Sequence, residues 1–519
     1  MDRNDMWDRV LTRTEPWDFV VVGGGATGVG VAVDAAARGY DVLLLEARDF
    51  GQGTSSRSTK LVHGGVRYLR QGNIPLVMEA LRERGILRRN APHLVNDLAF
   101  VVPNYDWWEA PFYGIGLKVY DALAGKYGFG SSRLLSRRET LEELPTIEQE
   151  GLRGGVVYHD GQFDDARLLM HLVWTAWEQG AVLVNHCPVT GLLKDGAGFV
   201  SGVRARDVET GTVVEIPARG VINATGVFTD SVRRLDDPEA GSMITPSQGI
   251  HLVLDRRFHP GDSAIMVPET EDGRVLFAVP WHDRVLVGTT DTPVPAPTVE
   301  PRPMQEEVAY VLRHAARYLS HDPGPEDVLS AFAGLRPLVG SSEDEDTSSL
   351  SRDHTLHVSS TGLVTITGGK WTTYRKMAED TVDHAAPVAG LDPRPCTTRE
   401  LPIHGYHQNA ARFGSLEVYG SDAPELEALA REHPEWGEPI HPDLPVLGVE
   451  VIWAVRFEMA RRVEDVLSRR TRALLLDARA AASSAGSVAA LLAAELGLDS
   501  SWTDRETEAF RELARAYLV

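Results

Sequence analysis

The stretch DFVVVGGGATGVGVAVDAAARGYDVLLLEAR, residues 18–48, decides the fold of this chain. The β-branched and aromatic residues before the glycines predict a buried strand, and the apolar run before Glu46 predicts a second one. Between them, Gly23, Gly25 and Gly28 form a G-x-G-x-x-G pattern that opens an alanine-rich helix. The order of strand, glycine turn, helix and strand predicts a Rossmann-like unit.

Each position of this pattern has a physical role in binding a dinucleotide. Gly23 permits the tight turn, Gly25 lets a pyrophosphate approach the backbone, and Gly28 lets the helix pack on the strand. The N–H groups at the helix N-terminus attract phosphates. Glu46, about 20 residues beyond the turn, can accept hydrogen bonds from ribose hydroxyls. Because its charge disfavours a ribose 2′-phosphate, NAD or FAD is expected rather than NADP.

Two later glycine turns favour FAD over NAD. The segment GVINATGVFTDSV, residues 220–232, predicts a buried strand that ends in Ala224, Thr225 and Gly226. The segment GLVTITGGKWTTYRKMAED, residues 362–380, predicts another strand, a Gly-Gly turn and a helix start. Such widely spaced contacts suit a long cofactor that is bound by a discontinuous domain.

Composition and charge exclude several classes of protein. The chain has 519 residues and a net charge of −22, which argues against nucleic acid as a partner. Its two cysteines, Cys187 and Cys396, form no CxxC pair, and the histidines show no ligand spacing, so no metal is expected. No apolar run reaches the length of a membrane span. The sequence therefore predicts a cytoplasmic protein, or one that is peripheral on the inner face of the cell membrane.

A second stretch, TSSRSTKLVHGGVRYLR at residues 54–70, combines hydroxyls, bare backbone and positive charge. Hydroxyls suit phosphate, glycine suits a flat ring, and the fork of Arg67 suits a phosphate dianion. Three further cations stand in unusual surroundings: Arg336 in an apolar segment, Arg352 after an acidic loop, and Lys370 at a predicted helix start. These cations predict one anionic ligand. The alternative is that each pairs with a carboxylate of the protein.

Together these motifs resemble FAD-dependent glycerol-3-phosphate dehydrogenases. The resemblance rests on residues 18–48, 54–69 and 224–226, on GLRPL at 334–338, SRDH at 351–354 and GGKWTTYRKMAED at 368–380, and on the family-like segments 158–169 and 458–481. It extends over nearly the whole chain. Two positions depart from the family: Thr27 stands where Asn is common, and Trp371 where smaller apolar residues are common.

The resemblance implies a cofactor, a reaction and a set of site residues. FAD would oxidise sn-glycerol 3-phosphate to dihydroxyacetone phosphate, with hydride transfer from C2 to flavin N5 and electrons passed to a quinone. The residues expected to contact FAD are Gly23, Gly25, Gly28, Glu46, Thr54, Ser55, Ser56, Lys60, His63, Gly64, Gly65, Ala224, Thr225, Gly226, Gly369, Lys370 and Thr372. The residues expected to bind the substrate are Arg67, Tyr68, Arg336, Arg352 and Lys370.

The reaction also needs a base for the hydroxyl proton, and histidine is the natural choice near neutral pH. His63 in the ring-side stretch and His251 on a predicted strand are both candidates, and the sequence leaves the choice open. A lone histidine on a strand is also a common core residue. Arg336 would stabilise the developing alkoxide and is the third residue predicted to be catalytic.

Two other functions remain open from the sequence. An oxygen-dependent oxidase on the same scaffold would act on glycerol 3-phosphate, an amine or an amino acid. A non-catalytic flavoprotein would bind a metabolite as a sensor, although it would not need the basic cluster. A homodimer and a peripheral membrane contact are the further partners considered. The stretch DWWEAPFY, residues 106–113, predicts a packed insertion or a dimer surface, with an electron acceptor or a membrane as the alternative.

The pattern predicts an α/β fold with three units. They are a Rossmann-like FAD-binding domain split over 17–90, 155–235 and 355–385, an α+β substrate domain with an antiparallel sheet at 91–154 and 236–354, and a C-terminal helical domain at 400–519. The arginine-rich segment 456–480 predicts a helix with a solvated face. Contact with lipid headgroups is the alternative for that face.

Overall fold

Two β-sheets organise the chain, one mostly parallel and the other mostly antiparallel. The computed structural model describes residues 1–65, 73–268, 270, 274–340 and 353–519. In these ranges the strands are β1 (Trp17–Val22), β2 (Val42–Leu45), β3 (Leu61–Val62), β4 (Val95–Asn104), β5 (Arg133–Ser136), β6 (Gly154–Phe163), β7 (Val182–Val184), β8 (Val189–Lys194), β9 (Val200–Arg206), β10 (Val213–Asn223), β11 (Ile244–Asp255), β12 (Ala264–Val267), β13 (Leu276–Trp281), β14 (Arg284–Gly288), β15 (Thr292–Pro293), β16 (Val328–Val339), β17 (His354–Val358) and β18 (Val364–Gly368).

Helices cover the sheets and form most of the C-terminal part. Those described are α1 (Arg3–Thr12), α2 (Ala26–Ala37), α3 (Ile74–Asn90), α4 (Glu109–Ala124), α5 (Arg137–Glu143), α6 (Asp165–Glu178), α7 (Thr229–Asp236), α8 (Gln305–Tyr318), α9 (Tyr374–Val388), α10 (Ala423–Glu432), α11 (Gly448–Phe457), α12 (Ala473–Leu476), α13 (Ala478–Leu496) and α14 (Ser500–Arg515). Among the described residues, no helix combines the length and the apolar character that a membrane crossing requires.

The first sheet has the order β17-β18-β10-β1-β2-β7, with β8 and β9 joined through β10. Strands β18, β10, β1, β2 and β7 pair in parallel. Val22 lies opposite both Leu45 and Asn223, so the chain leaves these three strands at the same edge of the sheet. Since ligands of open parallel sheets bind at the carboxyl ends of the strands, this edge positions the site.

The second sheet has the order β15-β11-β14-β13-β12-β4-β6-β3, with β16 paired to β11 and β5 paired to β6. All these pairs are antiparallel except β12 with β4. One face is covered by α8 and the other by helices of the C-terminal part. The fold class predicted from the sequence is therefore confirmed.

One predicted domain boundary is wrong. Strand β6 begins at Gly154 and pairs with β4 along its whole length, so it belongs to the second sheet and not to the cofactor sheet. The chain returns to the cofactor unit only with α6, which packs on α2. This strand is buried on both faces, so its residue pattern does not reveal which of the two sheets it joins.

The prediction of one continuous helix over 456–480 is also wrong. The chain ends α11 at Phe457, forms a π-helical turn over Asp465–Arg470, and then starts α12 and α13. Three of its arginines, Arg469, Arg470 and Arg472, are almost fully buried. They face neither solvent nor lipid, because the segment inserts between the C-terminal helices and the cofactor unit.

Candidate active site

A cavity of about 380 Å³ lies at the carboxyl edge of the first sheet. Of the residues predicted to contact the cofactor, those in its lining are Gly23, Gly25, Glu46, Thr54, Ser55, Ala224, Thr225, Gly226, Gly369 and Lys370. They come from the ends of β1, β2, β10 and β18 and from the loop after residue 53. Five separate segments of the chain therefore line one cavity.

The glycine turn is built so closely that side chains are excluded. Gly23 has φ +110°, and a Cβ there would lie 2.7 Å from the carbonyl oxygen of Ala224. Gly28 packs against the carbonyl of Gly23, so its role is helix packing, as the pattern predicts. Helix α2 begins immediately after Gly25, and the Ala26 N–H donates to Oγ of Ser55 at 2.9 Å. A helix N-terminus and bare backbone thus face the cavity.

Glu46 closes the opposite side of this turn. Its carboxylate accepts from the N–H of Gly24 at 2.6 Å and from the N–H of Arg48 at 2.8 Å. Burial raises the pKa of Glu46, and the two backbone N–H groups oppose that rise by favouring the charged form. The carboxylate is therefore fixed beside the glycines, at the place where the ribose would need an acceptor.

A second cavity of about 220 Å³ adjoins the first and lies against the β11–β16 pair. Thr54, Gly369, Lys370 and Trp371 line both cavities. The second lining also includes His63, His251, Arg336 and Thr372 from the predicted set, together with Arg57 and Thr59. Among the described lining residues there are three cations and no carboxylate, so the second cavity is suited to an anion.

The side chain of Arg336 extends over Gly249 to reach the second cavity. It lies on β16 opposite Ser247, and its guanidinium occupies the space that a side chain on Gly249 would fill. The guanidinium donates to Asp291 at 3.1 Å and to the carbonyl of Thr290 at 3.0 Å. The alternative left open by the sequence, a carboxylate partner within the protein, is thus present for Arg336, although the side chain still lines the cavity.

The two candidate bases lie in the same cavity. His251 is buried, and its Nε2 lies 2.9 Å from Oγ1 of Thr59. Burial lowers the pKa of His251 well below its ordinary value, and the charges of Lys60 and Arg336 lower it further, so the imidazole is neutral near pH 7. The backbone N–H of His63 donates to Oγ1 of Thr372 at 3.1 Å. Geometry alone leaves both histidines as candidates.

Some predicted residues lie elsewhere. Within the part of the chain that the structure describes, the linings of the two cavities do not include Gly28, Ser56, Lys60, Gly64 or Gly65. Lys60 is instead fully buried and paired with Asp165, and the Gly64 N–H donates to the Tyr120 hydroxyl at 2.8 Å. Arg67, Tyr68 and Arg352 lie outside the described residues.

Sequence reasoning missed two residues of the site, Thr59 and Arg57, and named a third, Trp371, only as a departure from the family pattern. Thr59, the partner of His251, belongs to the hydroxyl-rich stretch that the sequence did single out. Trp371 lines both cavities and donates from its indole nitrogen to the carbonyl of Ser55 at 2.8 Å. Arg57 pairs with Glu300 at 2.6 Å. Its charge gave no signal, because an arginine in a polar loop is ordinary.

A cluster of possible metal ligands lies outside both linings. The ligand atoms of Asp49, His186 and Asp465 are within 4.8 Å of one another. The Asp49 carboxylate accepts from Arg469 at 2.5 Å and from Arg470 at 2.6 Å. These guanidinium groups supply the positive charge that the carboxylates require, and the expectation of no metal stays a prediction.

A dinucleotide cavity on a parallel sheet, next to a cationic cavity on an antiparallel sheet, defines a two-domain flavin-type oxidoreductase. Comparison with known families agrees with this class. Residues 18–375 match the family model described as FAD dependent oxidoreductase, and residues 359–503 match the C-terminal domain of alpha-glycerophosphate oxidase. Glycine oxidase from Geobacillus kaustophilus shares the fold, with a TM-score of 0.53, 20% identity, and coverage of 75% of this chain and 99% of that one.

Relatives that match nearly the whole of this chain identify its family within this class. The chain is 40% identical to the probable mitochondrial glycerol-3-phosphate dehydrogenase of Caenorhabditis elegans and 40% identical to the human mitochondrial enzyme, covering 98% of this chain and 74% of each relative. The glycerol-3-phosphate dehydrogenase of Bacillus halodurans, solved with FAD, is 30% identical with a TM-score of 0.80, over 100% of this chain and 98% of that one. The chain belongs to the family of FAD-dependent glycerol-3-phosphate dehydrogenases.

The residues of this chain fit the cofactor of the family. The glycine cradle leaves no room for side chains beside Gly23, and the N-terminus of α2 faces the cavity. The first cavity reaches Glu46, the second reaches the β11–β16 pair, and the two share lining residues. The glycine turns predicted FAD as the cofactor. The family to which the chain belongs confirms that prediction.

Proposed function

We propose that this protein oxidises sn-glycerol 3-phosphate to dihydroxyacetone phosphate. The observation that carries the proposal is the second cavity, in which three cations and a buried neutral histidine adjoin the dinucleotide cavity. A small phosphorylated alcohol needs both features, cations for its phosphate and a base for its hydroxyl proton. The names of the full-length relatives support the same substrate.

Each side chain of the second cavity then has a role. Lys370 and Arg336 bind and orient the anionic substrate, because a cation facing a phosphate makes a strong charge-assisted hydrogen bond. His251 takes the hydroxyl proton, and the phosphate charge raises its low pKa towards the range that a base needs. When bound, FAD accepts the hydride equivalent from C2 of the alcohol. Trp371 and Phe277 limit the access of water to this place.

An anaerobic titration tests the substrate. The purified yellow protein is mixed with glycerol 3-phosphate in the absence of an acceptor, and the flavin absorbance is followed. Bleaching by glycerol 3-phosphate and none by glycerol at the same concentration is expected, because the cavity selects for the phosphate. Bleaching by glycine or another amine, and not by glycerol 3-phosphate, would instead favour an amine oxidase on this scaffold.

We further propose a quinone as the electron acceptor, with oxygen as the alternative. Turnover with glycerol 3-phosphate in air should be slow, and a soluble quinone should accelerate it. Peroxide formed at the full turnover rate without quinone would establish an oxidase. A flavin that binds glycerol 3-phosphate without any bleaching would favour the sensor function.

An exposed apolar surface supports contact with the membrane in which quinones dissolve. Trp107 is 76% exposed and Ile115 is 68% exposed, and Phe112 and Val119 lie on the same face of α4 as Ile115. The prediction of a packed insertion is therefore wrong for this stretch. Tryptophan suits the membrane interface, where its ring is buried and its N–H stays hydrated. The opposite face of α4 carries Tyr120, whose hydroxyl accepts from the Gly64 N–H beside the second cavity.

Vesicle flotation tests this surface against the homodimer. The double variant Trp107→Ser, Ile115→Ser should lose binding to vesicles of phosphatidylglycerol and phosphatidylethanolamine, because both apolar groups lose their place in the lipid. Phe199→Ser, which removes a ring that is 53% exposed on the β8–β9 turn, is the control and should keep binding. Loss of a dimer in sedimentation, with vesicle binding unchanged, would assign the surface to a second copy of the chain.

A further inference from the structure

Three buried charged side chains meet beside the loop 54–60, outside the linings of the two cavities. Asp165, the first residue of α6, accepts from Nζ of Lys60 at 2.7 Å and from Nη2 of Arg472 at 3.0 Å. The same two cations donate to the carbonyl of Ser56, at 2.9 and 2.7 Å. Lys60 and Arg472 thus donate to the same two acceptors. Lys60 belongs to the loop itself, whereas Arg472 belongs to the C-terminal helical part.

The cluster is fixed by its surroundings. Lys60 and Asp165 are fully buried, and Arg472 is 2% exposed. Lys60 and Arg472 both have left-handed backbone, with φ of 63° and 64°. A residue with a side chain adopts this conformation at an energetic cost and keeps it only where its environment demands it. Burial lowers the pKa of Lys60 to about 8, although Asp165 opposes this, so the ammonium group persists at pH 7.

The cluster continues to the candidate base. Thr59, which precedes Lys60, places its hydroxyl 2.9 Å from Nε2 of His251. Phe332 stacks on the imidazole with 5.1 Å between ring centroids, and Nζ of Lys60 lies 5.3 Å from the centre of the Phe332 ring. A displacement of Lys60 would therefore disturb Thr59 and Phe332, two of the groups that contact His251.

We propose that Lys60 and Arg472 are positioning residues, which hold the loop 54–60 so that Thr59 orients His251 in the second cavity. The inference rests on the proposed function, in which His251 is the base. It makes the C-terminal helical part a contributor to the reaction, since Arg472 reaches Ser56 across 416 residues of sequence. Lys60, which the sequence assigned to the cofactor, acts on the base instead.

The test compares holoenzymes in the anaerobic bleaching reaction. Arg472→Met removes the charge and keeps an unbranched side chain, whereas Arg472→Lys keeps the charge. Arg456→Met is the matched control, because Arg456 pairs with Glu495 within the C-terminal helices. Arg472→Met should lower the limiting bleaching rate about 10- to 100-fold, since a displacement of about 1 Å at a reacting group has effects of this size. The substrate Kd should change less than about threefold, Arg472→Lys should recover part of the rate, and the control should keep it.

The pH profile of Lys60→Met gives a readout that a purely structural role would not move. The charged groups that face His251 are Lys60, which pairs with Asp165, and Arg336, which pairs with Asp291. Removing the Lys60 charge favours protonation of the imidazole, so the acid limb of the bleaching rate should move to higher pH by up to about one unit. An unmoved acid limb in a variant that retains flavin would contradict the role of Lys60.

Hydrogen exchange separates this inference from the proposed function. The peptide that covers residues 54–60 should exchange faster in Arg472→Met than in the wild type, and not faster in Arg456→Met. Unchanged exchange, or a normal bleaching rate at full flavin content, would overturn the inference. If glycerol 3-phosphate fails to bleach the wild type, the proposed function is wrong, and the exchange of this peptide still decides whether Arg472 holds the loop.

Discussion

The two cavities share Thr54, Gly369, Lys370 and Trp371, yet they are built in opposite ways. The first lies at the ends of parallel strands, and seven of its lining residues are glycines. The second lies against two antiparallel strands, and its chemistry comes from charged and aromatic side chains. The first cavity should therefore be sensitive to added volume, whereas the second should be sensitive to lost charge and lost proton transfer.

The largest effect is expected from a substitution that places a side chain in the glycine turn of the first cavity. Gly23→Val should lower the flavin content of the purified protein at least about 100-fold, because the left-handed backbone and the close carbonyl of Ala224 leave no room for a side chain. Absorbance of the flavin per mole of protein measures the loss. Gly196→Val, at a position where a Cβ meets nothing within 4 Å, is the control and should bind flavin normally.

The next effect concerns proton transfer in the second cavity. His251→Asn should lower the limiting rate of flavin bleaching about 10²- to 10⁴-fold with flavin still bound, since general bases contribute effects of this size. His63→Asn should lower it less than about tenfold. The reverse order in stopped-flow measurements would make His63 the base.

The pH dependence follows from the same histidine. The base must be neutral, and burial together with the charges of Lys60 and Arg336 lowers the pKa of His251 well below its ordinary value of about 6.5. The imidazole of the free enzyme therefore stays neutral as the pH falls through 6.5. In a profile of kcat/KM for glycerol 3-phosphate, the acid limb should lie below pH 6.5. A limb centred above pH 7 would contradict this assignment.

A substitution of Lys370, with a smaller expected effect, tests whether this residue acts in the first or the second cavity. Lys370→Met should lower kcat/KM for glycerol 3-phosphate about 10- to 100-fold, the value of a charged hydrogen bond of about 1.5–3 kcal/mol. Steady-state kinetics with glycerol 3-phosphate measure this change. If flavin content falls and the preference for the phosphate remains, Lys370 belongs to the first cavity.

The smallest effect concerns a side chain in the first cavity. Ser55→Ala removes the acceptor of the Ala26 N–H, a hydrogen bond worth about 1 kcal/mol net. FAD affinity, measured by titration of the apoprotein, should fall about fivefold. An effect as large as that of Gly23→Val would show that this cavity depends on side chains as much as the second one does.

Much of the first cavity could be predicted from the sequence because its parts are local. A strand, a glycine turn and a helix each leave a pattern within a few residues, and parallel pairing brings the ends of such strands to one edge. Glu46 and the glycine turns at 224–226 and 368–369 were found in this way. The family was also identified, since its motifs occur in order along the chain.

The sequence by itself thus determined the fold class and the cofactor, and it named the cations from which an anion site is proposed. Only the tertiary structure decided that β6 joins the second sheet, that Thr59 meets His251, and that Arg336 has Asp291 as a partner. It also decided that Arg472 is buried against the loop 54–60. The reason is physical: a glycine turn is specified by its own backbone, whereas the partner of a buried charge is specified by whichever distant segment the folded chain brings beside it.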